Sequence, residues 1–403
     1  MEEVEGGILA ASGFSASTVS CGIKAPKGTR KDILLIDAGT AVAAAAVFTT
    51  NRVQAAPVLV SKEHIRTGLA RALVINSGNA NACNGQKGME DARAMAAETA
   101  SGLGIPAEMV LVASTGVIGR PMPMDCIREG IREAVGLIGK GEGTDAARAI
   151  MTTDTVPKEC SVRFDMDGVT VSIGGIAKGA GMICPNMATM ISLITTDAAI
   201  APGMLNKALR HAVGKSFNCI TVDGDMSTND TVFVLANAKA GNSIVTSADS
   251  SGYKAFETAL THVCTTLAKK IARDGEGATK FVEIVVKGAR SDTDARVIGL
   301  SVANSALVKT AIYGKDPNWG RILCAVGYAD APSDPDTIDL FLCGHPLTRN
   351  GMGLPLDEPL MRKALEANEI PIVIDLNMGD GTATIWTCDL SHEYVTVNAE
   401  YTT

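Results

Sequence analysis

A threonine at position 189 has the surroundings of a candidate nucleophile. It lies between Ala188 and Met190 in the stretch KGAGMICPNMATM, residues 178–190, which begins with a lysine. A threonine in such a setting is ordinarily a strand residue, because its branched Cβ suits a pleated surface. Its hydroxyl becomes a nucleophile when a base adjoins it, and its own free α-amine can be that base. That chemistry would require cleavage of the chain between Ala188 and Thr189.

Four glycines upstream of this threonine favour close packing of the chain against itself or against a ligand. They are Gly174, Gly175, Gly179 and Gly181. A glycine has no Cβ, so its backbone can approach another group closely. The residue before the threonine is a small alanine, which leaves its carbonyl accessible to attack.

Residues 114–119, STGVIG, form a second candidate site because they follow a predicted strand at residues 109–113. Backbone N–H groups and a hydroxyl can converge on an anionic oxygen where a strand ends in Ser-Thr-Gly. A simple strand-to-turn exit explains the same pattern, and the spacing alone favours that interpretation. For residues 76–85, which are rich in Asn and Gly, turn chemistry and packing near an active site are equally good interpretations.

The sequence does not predict a metal site. The ten cysteines stand singly without a C-x-x-C pair, and the five histidines are isolated. The acidic loop at residues 223–231 lacks the spacing of a calcium EF loop, so a hydrogen-bonded structural loop is the favoured interpretation. Most cysteines lie in apolar surroundings, which indicates buried, reduced thiols and a reducing compartment. We therefore expect a cytoplasmic protein.

The composition is that of a globular protein with no affinity for nucleic acid or membrane. Its 403 residues are 46% hydrophobic and 20% charged, which suffices for sizeable cores. The formal net charge of −8, without a Lys/Arg stripe, argues against nucleic acid and anionic membranes as partners. The sequence contains no run of about 18 or more uncharged, apolar residues, the length that a membrane-spanning helix needs. The acidic start of the chain, with Glu2, Glu3 and Glu5, does not fit a secretory signal.

Hydrophobic periodicity predicts an α+β fold without regular βαβ spacing. Apolar runs and alternation predict a β-hairpin over residues 161–173, a buried strand over 191–196 and further strands. Spacings of three, four and seven predict helices, of which 254–273 is the clearest. The further strands are 33–37, 41–48, 57–60, 72–76, 109–113, 280–287, 321–328, 371–376, 382–388 and 394–400, and the helices are 89–103, 125–138, 144–151, 203–215, 254–273 and 294–313. This mixture favours layers of mixed sheets over a doubly wound sheet.

Eight segments of the chain together resemble the ornithine acetyltransferase family, the bifunctional glutamate N-acetyltransferases of arginine biosynthesis. One segment alone would be weak, but all eight occur in the order of that family and cover essentially the whole chain. The segments are NSGNANACNG (76–85), STGVIG (114–119), TTDTVPK (152–158), KGAGMICPNMATM (178–190), TVDGDMSTNDT (221–231), DGEGATK (274–280), DPNWGR (316–321) and NAEYTT (398–403).

The resemblance implies the architecture and the organisation of the mature protein. It implies an α+β, layered α/β sandwich of mixed sheets with the DmpA/ornithine acetyltransferase fold. It implies self-cleavage between Ala188 and Thr189 into an alpha chain, 1–188, and a beta chain, 189–403, which intertwine in one catalytic unit. A heterotetramer of two alpha and two beta chains is the expected assembly.

The resemblance also assigns roles to individual residues. Thr189 is the implied nucleophile, and Thr115 with Gly116 forms the implied oxyanion hole. The implied substrate-binding residues are Thr152, Lys178, Thr189, Glu276, Asn398 and Thr403. Because Thr152 and Thr153 are adjacent, the choice between them stays open.

The implied reaction is a ping-pong transfer of acetyl from N2-acetylornithine to glutamate through an acetyl-Thr189 intermediate. No cofactor and no metal is expected, and acetyl-CoA is left open as a second donor. Two other classes of function compete with this one. One is a self-processing Thr-nucleophile amidohydrolase or aminopeptidase that uses water as acceptor, and the other is a non-catalytic carboxylate-binding protein that remains a single chain.

Overall fold

The computed structural model describes residues 1–184 and 190–400, and it confirms the predicted α+β fold. Its strands form two mixed sheets, one of nine strands and one of six. Ala188, Thr189 and Thr403, for which the sequence predicts cleavage or substrate contact, lie outside the described residues.

Most of the predicted strands and helices are present, and the exceptions are given below. The strands are β1 (Glu2–Glu3), β2 (Ser15–Val19), β3 (Ile33–Phe48), β4 (Leu69–Asn79), β5 (Val110–Val117), β6 (Lys158–Met166), β7 (Val169–Lys178), β8 (Ile191–Thr196), β9 (Thr231–Ala236), β10 (Phe281–Ala289), β11 (Asp339–Leu342), β12 (His345–Arg349), β13 (Met352–Gly353), β14 (Glu369–Asp375) and β15 (Gly381–Cys388). The helices are α1 (Ala56–His64), α2 (Gly85–Leu103), α3 (Met124–Gly136), α4 (Gly143–Ile150), α5 (Pro202–Gly214), α6 (Ser251–Arg273), α7 (Asp292–Asn304), α8 (Ala306–Tyr313), α9 (Trp319–Gly327), α10 (Glu358–Ala364) and α11 (His392–Glu400).

The nine-stranded sheet is built around the long strand β3. In spatial order its strands are β1, β6, β7, β8, β9, β3, β4 and β5, with β2 also paired to β3. The two strands predicted at 33–37 and 41–48 form a single strand, β3. The chain does not leave the sheet between them, and its pairing with β4 shifts in register between Asp37 and Val42. The predicted hairpin is confirmed as the antiparallel pair β6–β7.

Three strands of this sheet place Lys178 beside the chain that resumes after the candidate nucleophile. β7 ends at Lys178, which is opposite Ile191 at the start of β8. Ile191 is in turn opposite Thr231 at the start of the parallel strand β9. Lys178, Ile191 and Thr231 are therefore neighbours at one end of the sheet.

The six-stranded sheet shares a hydrophobic core with the first sheet. Its spatial order is β13, β12, β11, β14, β10 and β15, with β10 parallel to β14. Helix α6, the clearest helix in the sequence, begins where the Ser250 hydroxyl accepts a hydrogen bond from the N–H of Tyr253. Its buried face belongs to one core cluster that contains residues of both sheets, including Val162 and Ile385. Burial of this stripe is the main source of the helix's stability.

Two predicted strands are helices. Residues 57–60 lie in α1, which carries proline in its first turn, where proline is well tolerated because its missing N–H would be unpaired anyway. Residues 321–328 lie largely in α9, which begins where the Asn318 side chain accepts a hydrogen bond from the N–H of Arg321. Its buried residues, Ile322, Ala325 and Val326, follow a three-and-four spacing. Short apolar runs fit either structure, so the prediction was wrong for both segments.

The predicted C-terminal strand over 394–400 is also wrong, because these residues form the helix α11. The alternating Val395, Thr396 and Val397 suggested a strand. However, α11 has no buried residue, so no hydrophobic face determines its periodicity. Contacts with residues 276–277, described below, hold it in place.

The helix predicted over 294–313 is two helices, α7 and α8, with a bend of 58° between them. Ser305 ends the first helix and caps the second, since its hydroxyl accepts a hydrogen bond from the N–H of Val308. Across residues 1–184 and 190–400, no single helix has the length and apolar character to cross a membrane. Only the bent α7–α8 pair passes that test of length and composition.

Candidate functional site

One pocket brings together six of the residues that the sequence predicts to act on substrate. The six are Thr115, Gly116, Thr152, Lys178, Glu276 and Asn398. The pocket encloses about 630 Å³ including its open mouth. Its other lining residues are Ala80, Ile118, Thr153, Gly181, Met182, Ser227 and Asn229.

The Thr115–Gly116 pair lies at the end of β5, where β5 runs parallel to β4 in very close contact. Gly116 is opposite Gly78 and has φ of +131°, a conformation that side-chain-bearing residues rarely adopt. A Cβ at position 116 would lie 2.3 Å from the carbonyl carbon of Gly78. Thr115 is 4% exposed and faces the pocket. The geometry therefore requires glycine at 116 and holds Thr115 on a fixed backbone.

The Asn- and Gly-rich segment that follows β4 packs against the pocket, as the second of its two interpretations proposed. Ala80 lines the pocket, and Asn79 and Asn81 are buried. The side chain of Asn79 donates to the carbonyl of Pro121 at 3.1 Å and accepts from the N–H of Asn81 at 2.8 Å. These bonds fix the segment whose first residues pair with Thr115 and Gly116.

Lys178 supplies a buried cation at the end of β7. Its side chain is 3% exposed and lines the pocket. Burial lowers the pKa of Lys178, and the attraction of Asp154 opposes that decrease. A carboxylate that entered the pocket would therefore meet a cation with little competing water.

A buried network of charges supports the two loops beside Lys178. Lys158 Nζ donates to Asp154 Oδ1 at 2.7 Å and to Asp274 Oδ2 at 2.5 Å, and its side chain is fully buried. Asp154 Oδ1 also accepts from the N–H of Gly179 at 2.6 Å. Burial alone would raise the pKa of Asp154, but Lys178, Lys158 and Gly179 outweigh it and bring that pKa to about 2.

The network also reaches the two adjacent threonines that the sequence could not separate. Both Thr152 and Thr153 line the pocket. The N–H of Thr152 donates to Asp154 Oδ2 at 3.0 Å, and its carbonyl accepts from Arg30 at 3.2 Å. The backbone of Thr152 is thereby held on both sides.

Glu276 joins the Lys178 loop to the C-terminal helix. Its N–H donates to the carbonyl of Ala180 at 2.9 Å, and a Cβ at Gly181 would lie 2.3 Å from its carboxylate. Its Oε2 accepts from the side-chain amide of Asn398 at 2.9 Å. Gly181 is therefore needed to let the carboxylate reach the pocket wall, and Asn398 orients it.

The acidic loop at 223–231 is a hydrogen-bonded structural element, as predicted. Asp223 accepts from the N–H groups of Met182 and Ile183 at 2.6 and 2.9 Å, which fixes one wall of the pocket. Asn229 donates to the carbonyls of Ala80 and Ser114 at 2.6 and 2.8 Å. The loop thus connects the Lys178 side of the pocket to the Thr115 side.

Sequence reasoning assigned no role to Asn229 or to its neighbour Asp230. Asp230 Oδ1 accepts from the N–H of Met190 at 2.9 Å. Both residues act through contacts to distant segments, so a single sequence gives no spacing that would identify them. The one available signal was their position in a polar loop, DGDMSTNDT, next to a predicted strand.

The described residues contain one group of side chains that could together ligate a metal, and it does not line this pocket. Glu3, Cys160 and His262 lie close together, with His262 Nε2 3.3 Å from Glu3 Oε1. Burial raises the pKa of the Cys160 thiol, which opposes the thiolate form that binds metals. The absence of a metal from the reaction stays a prediction.

Comparison with known proteins agrees with the resemblance read from the eight segments. The ArgJ family profile matches residues 15–403. The arginine biosynthesis bifunctional protein ArgJ of Symbiobacterium thermophilum is 49% identical over 403 residues, which is 100% of both chains. Its counterpart from Geobacter sulfurreducens is 50% identical over 392 residues, covering 97% of this chain and 99% of the other. The crystal structure of the protein of that name from Bacillus halodurans is 42% identical, with a TM-score of 0.51, and the match covers 52% of this chain and 98% of that one.

Proposed function

The chain belongs to the ArgJ family, and we propose that this acyltransferase of arginine biosynthesis moves acetyl from N2-acetylornithine to glutamate. The observation that carries the proposal is the single pocket in which Thr115, Gly116, Lys178 and Glu276 meet. These residues come from three segments that are far apart in sequence. A buried cation and a carboxylate in one pocket suit substrates that bear both a carboxylate and an ammonium group.

Each side chain has a defined role in the proposed reaction. Lys178 binds the α-carboxylate of the substrate, and Glu276 binds the ornithine ammonium group. Uncharged side chains add hydrogen bonds to the substrate or to the charged groups that bind it, and these side chains are Thr152, Asn398 and Thr403. These roles place the acetyl group toward Thr115 and Gly116, whose hydroxyl and N–H stabilise the oxyanion, each donor contributing roughly 3–4 kcal/mol.

The acetyl group travels through Thr189 in two half-reactions. The Thr189 α-amine, with a reference pKa of about 7.7–8.0, takes the proton from the Thr189 hydroxyl. The hydroxyl oxygen attacks the acetyl carbonyl, ornithine leaves, and acetyl-Thr189 remains. Glutamate then attacks the ester and departs as N-acetylglutamate, which regenerates the free hydroxyl. The reaction needs no metal and no cofactor.

Chain cleavage creates the α-amine that this reaction needs. In the proposed processing, the Thr189 hydroxyl attacks the Ala188 carbonyl, and water hydrolyses the resulting ester. The products are an alpha chain, 1–188, and a beta chain, 189–403. We further propose that two copies of each assemble as a cytoplasmic heterotetramer.

Mass spectrometry of the intact protein after exposure to N2-acetylornithine tests processing and transfer together. We expect two chains, with one acetyl group added to the beta chain at Thr189 and removed again by glutamate. The Thr189→Ala variant should remain a single chain of 403 residues. Cleavage of that variant at the same bond would overturn self-processing.

The choice of acceptor and donor separates the remaining alternatives. If glutamate discharges the acetyl group much faster than water does, the transferase is supported over an amidohydrolase or aminopeptidase. Discharge by water at the same rate would overturn the transferase. The curated relatives are named bifunctional, and acetyl-CoA is the second donor to test, by whether it also labels Thr189.

A further inference from the structure

Chain cleavage requires a proton-transfer group other than the one used in the mature enzyme. Before the chain is cut, the nitrogen of Thr189 is an amide and cannot serve as a base. The attacking hydroxyl must nevertheless lose a proton, and the departing nitrogen must gain one. Because uncatalysed amide bonds are kinetically stable, these transfers need catalysis, and one side chain near residue 189 that accepts and then gives a proton would supply both.

Asp230 is bonded to the peptide that follows the cleavage site. Its Oδ1 accepts from the N–H of Met190 at 2.9 Å, and that nitrogen is covalently attached to the carbonyl carbon of Thr189. The next residue, Thr231, donates its N–H to the carbonyl of Met190 at 3.0 Å. Both backbone groups of Met190 are therefore hydrogen-bonded to residues 230–231. Met190 directly follows Thr189 in the chain, so Asp230 is bonded to the peptide group next to the reacting residue.

The second oxygen of Asp230 is available for proton transfer. The residue is fully buried, and among the described residues Oδ2 has no hydrogen-bond partner. A buried polar atom without a partner costs free energy, so its retention beside the cleavage site calls for a function. Burial raises the pKa of Asp230 well above its usual value, while the N–H of Met190 and, to a smaller extent, the charge of Lys178 oppose the increase. A raised pKa makes the ionised carboxyl a stronger base than an ordinary aspartate, which suits it to accept a hydroxyl proton.

Other carboxyl groups near the pocket are already engaged. Asp154 accepts hydrogen bonds from Lys158 Nζ and from the N–H of Gly179. Asp223 accepts hydrogen bonds from two N–H groups of the loop that follows Lys178. Glu276 accepts from Asn398. Asp230 is thus the carboxyl that combines a free oxygen with a direct bond to the chain beside Thr189.

We propose that Asp230 is the proton-transfer group of chain cleavage, an inference that rests on the proposed self-processing at Thr189. As the Thr189 hydroxyl oxygen bonds to the Ala188 carbonyl carbon, the hydroxyl proton passes to Oδ2 of the ionised carboxyl. As the bond from that carbon to the Thr189 nitrogen breaks, the carboxyl gives a proton to the nitrogen, which becomes the α-amine. The carboxyl ends as it began, and water then hydrolyses the ester, so the atoms balance without another reactant.

The variant Asp230→Asn tests this role because asparagine keeps the shape and the Oδ1 acceptor for Met190 but cannot exchange a proton. We expect chain cleavage, followed by intact mass during incubation of the purified full-length chain, to slow by roughly 10²–10⁴-fold. Urea unfolding of the same samples checks that the precursor is folded. The matched control is Asp225→Asn, an exposed aspartate in the same loop, which should slow cleavage much less.

Chemical rescue separates proton transfer from a merely structural role. In Asp230→Ala, added formate should restore cleavage in proportion to the concentration of the formate ion, whereas Asp225→Ala should not respond. Wild-type cleavage should also slow as the pH falls through the titration of this carboxyl, because protonation removes the base, and Asp230→Asn should lose that dependence. Failure of formate to restore any cleavage would overturn the inference in favour of a structural role or of Lys178.

The outcomes also distinguish this inference from the proposed function. If Asp230→Asn is cleaved at the wild-type rate while Thr189→Ala stays intact, the inference is wrong and self-processing stands. If Thr189→Ala is itself cut, self-processing is wrong, and the inference fails with it.

Discussion

The side-chain amide of Asn398 lies 2.9 Å from Glu276 Oε2, and this bond ties the last described helix to the wall of the pocket. The hydroxyl of Ser391 adds a second tie, since it donates to the carbonyl of Gly277 at 2.6 Å. Asn398 in α11 and Ser391, the residue just before α11, are thus bonded to the same short segment, residues 276–277. The helix therefore reaches the site through Glu276, whose carboxylate it orients.

We predict that Asn398→Ala weakens use of N2-acetylornithine without preventing chain cleavage. The variant removes a hydrogen bond to a carboxylate that binds the ornithine ammonium group, and such bonds contribute about 1.5–3 kcal/mol, with the lower end expected at an exposed position. Steady-state kinetics should show KM for the donor raised by roughly tenfold. Val395→Ala, on the same helix and 65% exposed, is the control and should behave as wild type. An unchanged KM in Asn398→Ala would show that Glu276 needs no such partner.

Thr152, and not Thr153, is predicted to contact substrate, because its backbone is held by Asp154 and by Arg30. A side chain on a fixed backbone loses little entropy when it binds. Thr152→Val should raise KM for one or both substrates by about 2–13-fold, the value of one neutral hydrogen bond. Thr153→Val is its matched control, and a larger effect there would reverse the assignment.

The sequence was sufficient for the parts of the fold that hydrophobic patterns determine. Strand β8 is buried along its whole length, and the long helix α6 has a buried face with a clear period, so both predictions were confirmed. The C-terminal helix was missed because α11 buries no residue, and its position depends on Asn398 and on Ser391. No periodicity within nine residues can report a contact with a segment more than 100 residues away.

The candidate site shows the same division. The charged and small residues of the pocket were identified through the resemblance of whole segments, and the structure places the described ones together. Asp230 and Asn229 were missed, because their partners Met190, Ala80 and Ser114 are distant in sequence. Loop residues that hold other loops become visible only when the hydrogen bonds are known.

Lys158→Met should strongly destabilise the protein. Lys158 is fully buried between Asp154 and Asp274, so its removal leaves two buried carboxylates without their shared cation. Loss of one partner from a buried ion pair typically costs 3–5 kcal/mol, so we expect a decrease of about that size in the free energy of unfolding, measured in urea. Lys27→Met, which removes an exposed pair with Glu129, should leave the free energy of unfolding nearly unchanged. Equal effects of the two variants would contradict the importance of the buried network.

The stability contributed by Asp154 is predicted to be lost in acid. Its folded pKa of about 2 lies below the unfolded reference of about 3.9. A depressed folded pKa means that the ionised group favours the folded state, so the contribution is complete above about pH 4 and disappears as the pH falls toward about 2. Urea unfolding of wild type and Asp154→Asn should give a difference in free energy that narrows over that range. A constant difference would show that Asp154 titrates normally.

Thr115→Ala is predicted to lower kcat for acetyl transfer by roughly 10²–10³-fold, with a smaller effect on KM. Thr115 is buried at the end of β5 and faces the pocket, and its backbone is fixed by the close pairing of Gly116 with Gly78. A hydroxyl held in this way needs no reorganisation when negative charge develops on the acetyl oxygen, so its contribution appears in the transition state more than in substrate binding. Single-turnover acetylation of Thr189 followed by mass spectrometry isolates this step. Thr115→Ser keeps the hydroxyl and should recover most of the rate, whereas a change confined to KM in Thr115→Ala would identify Thr115 as a substrate contact instead.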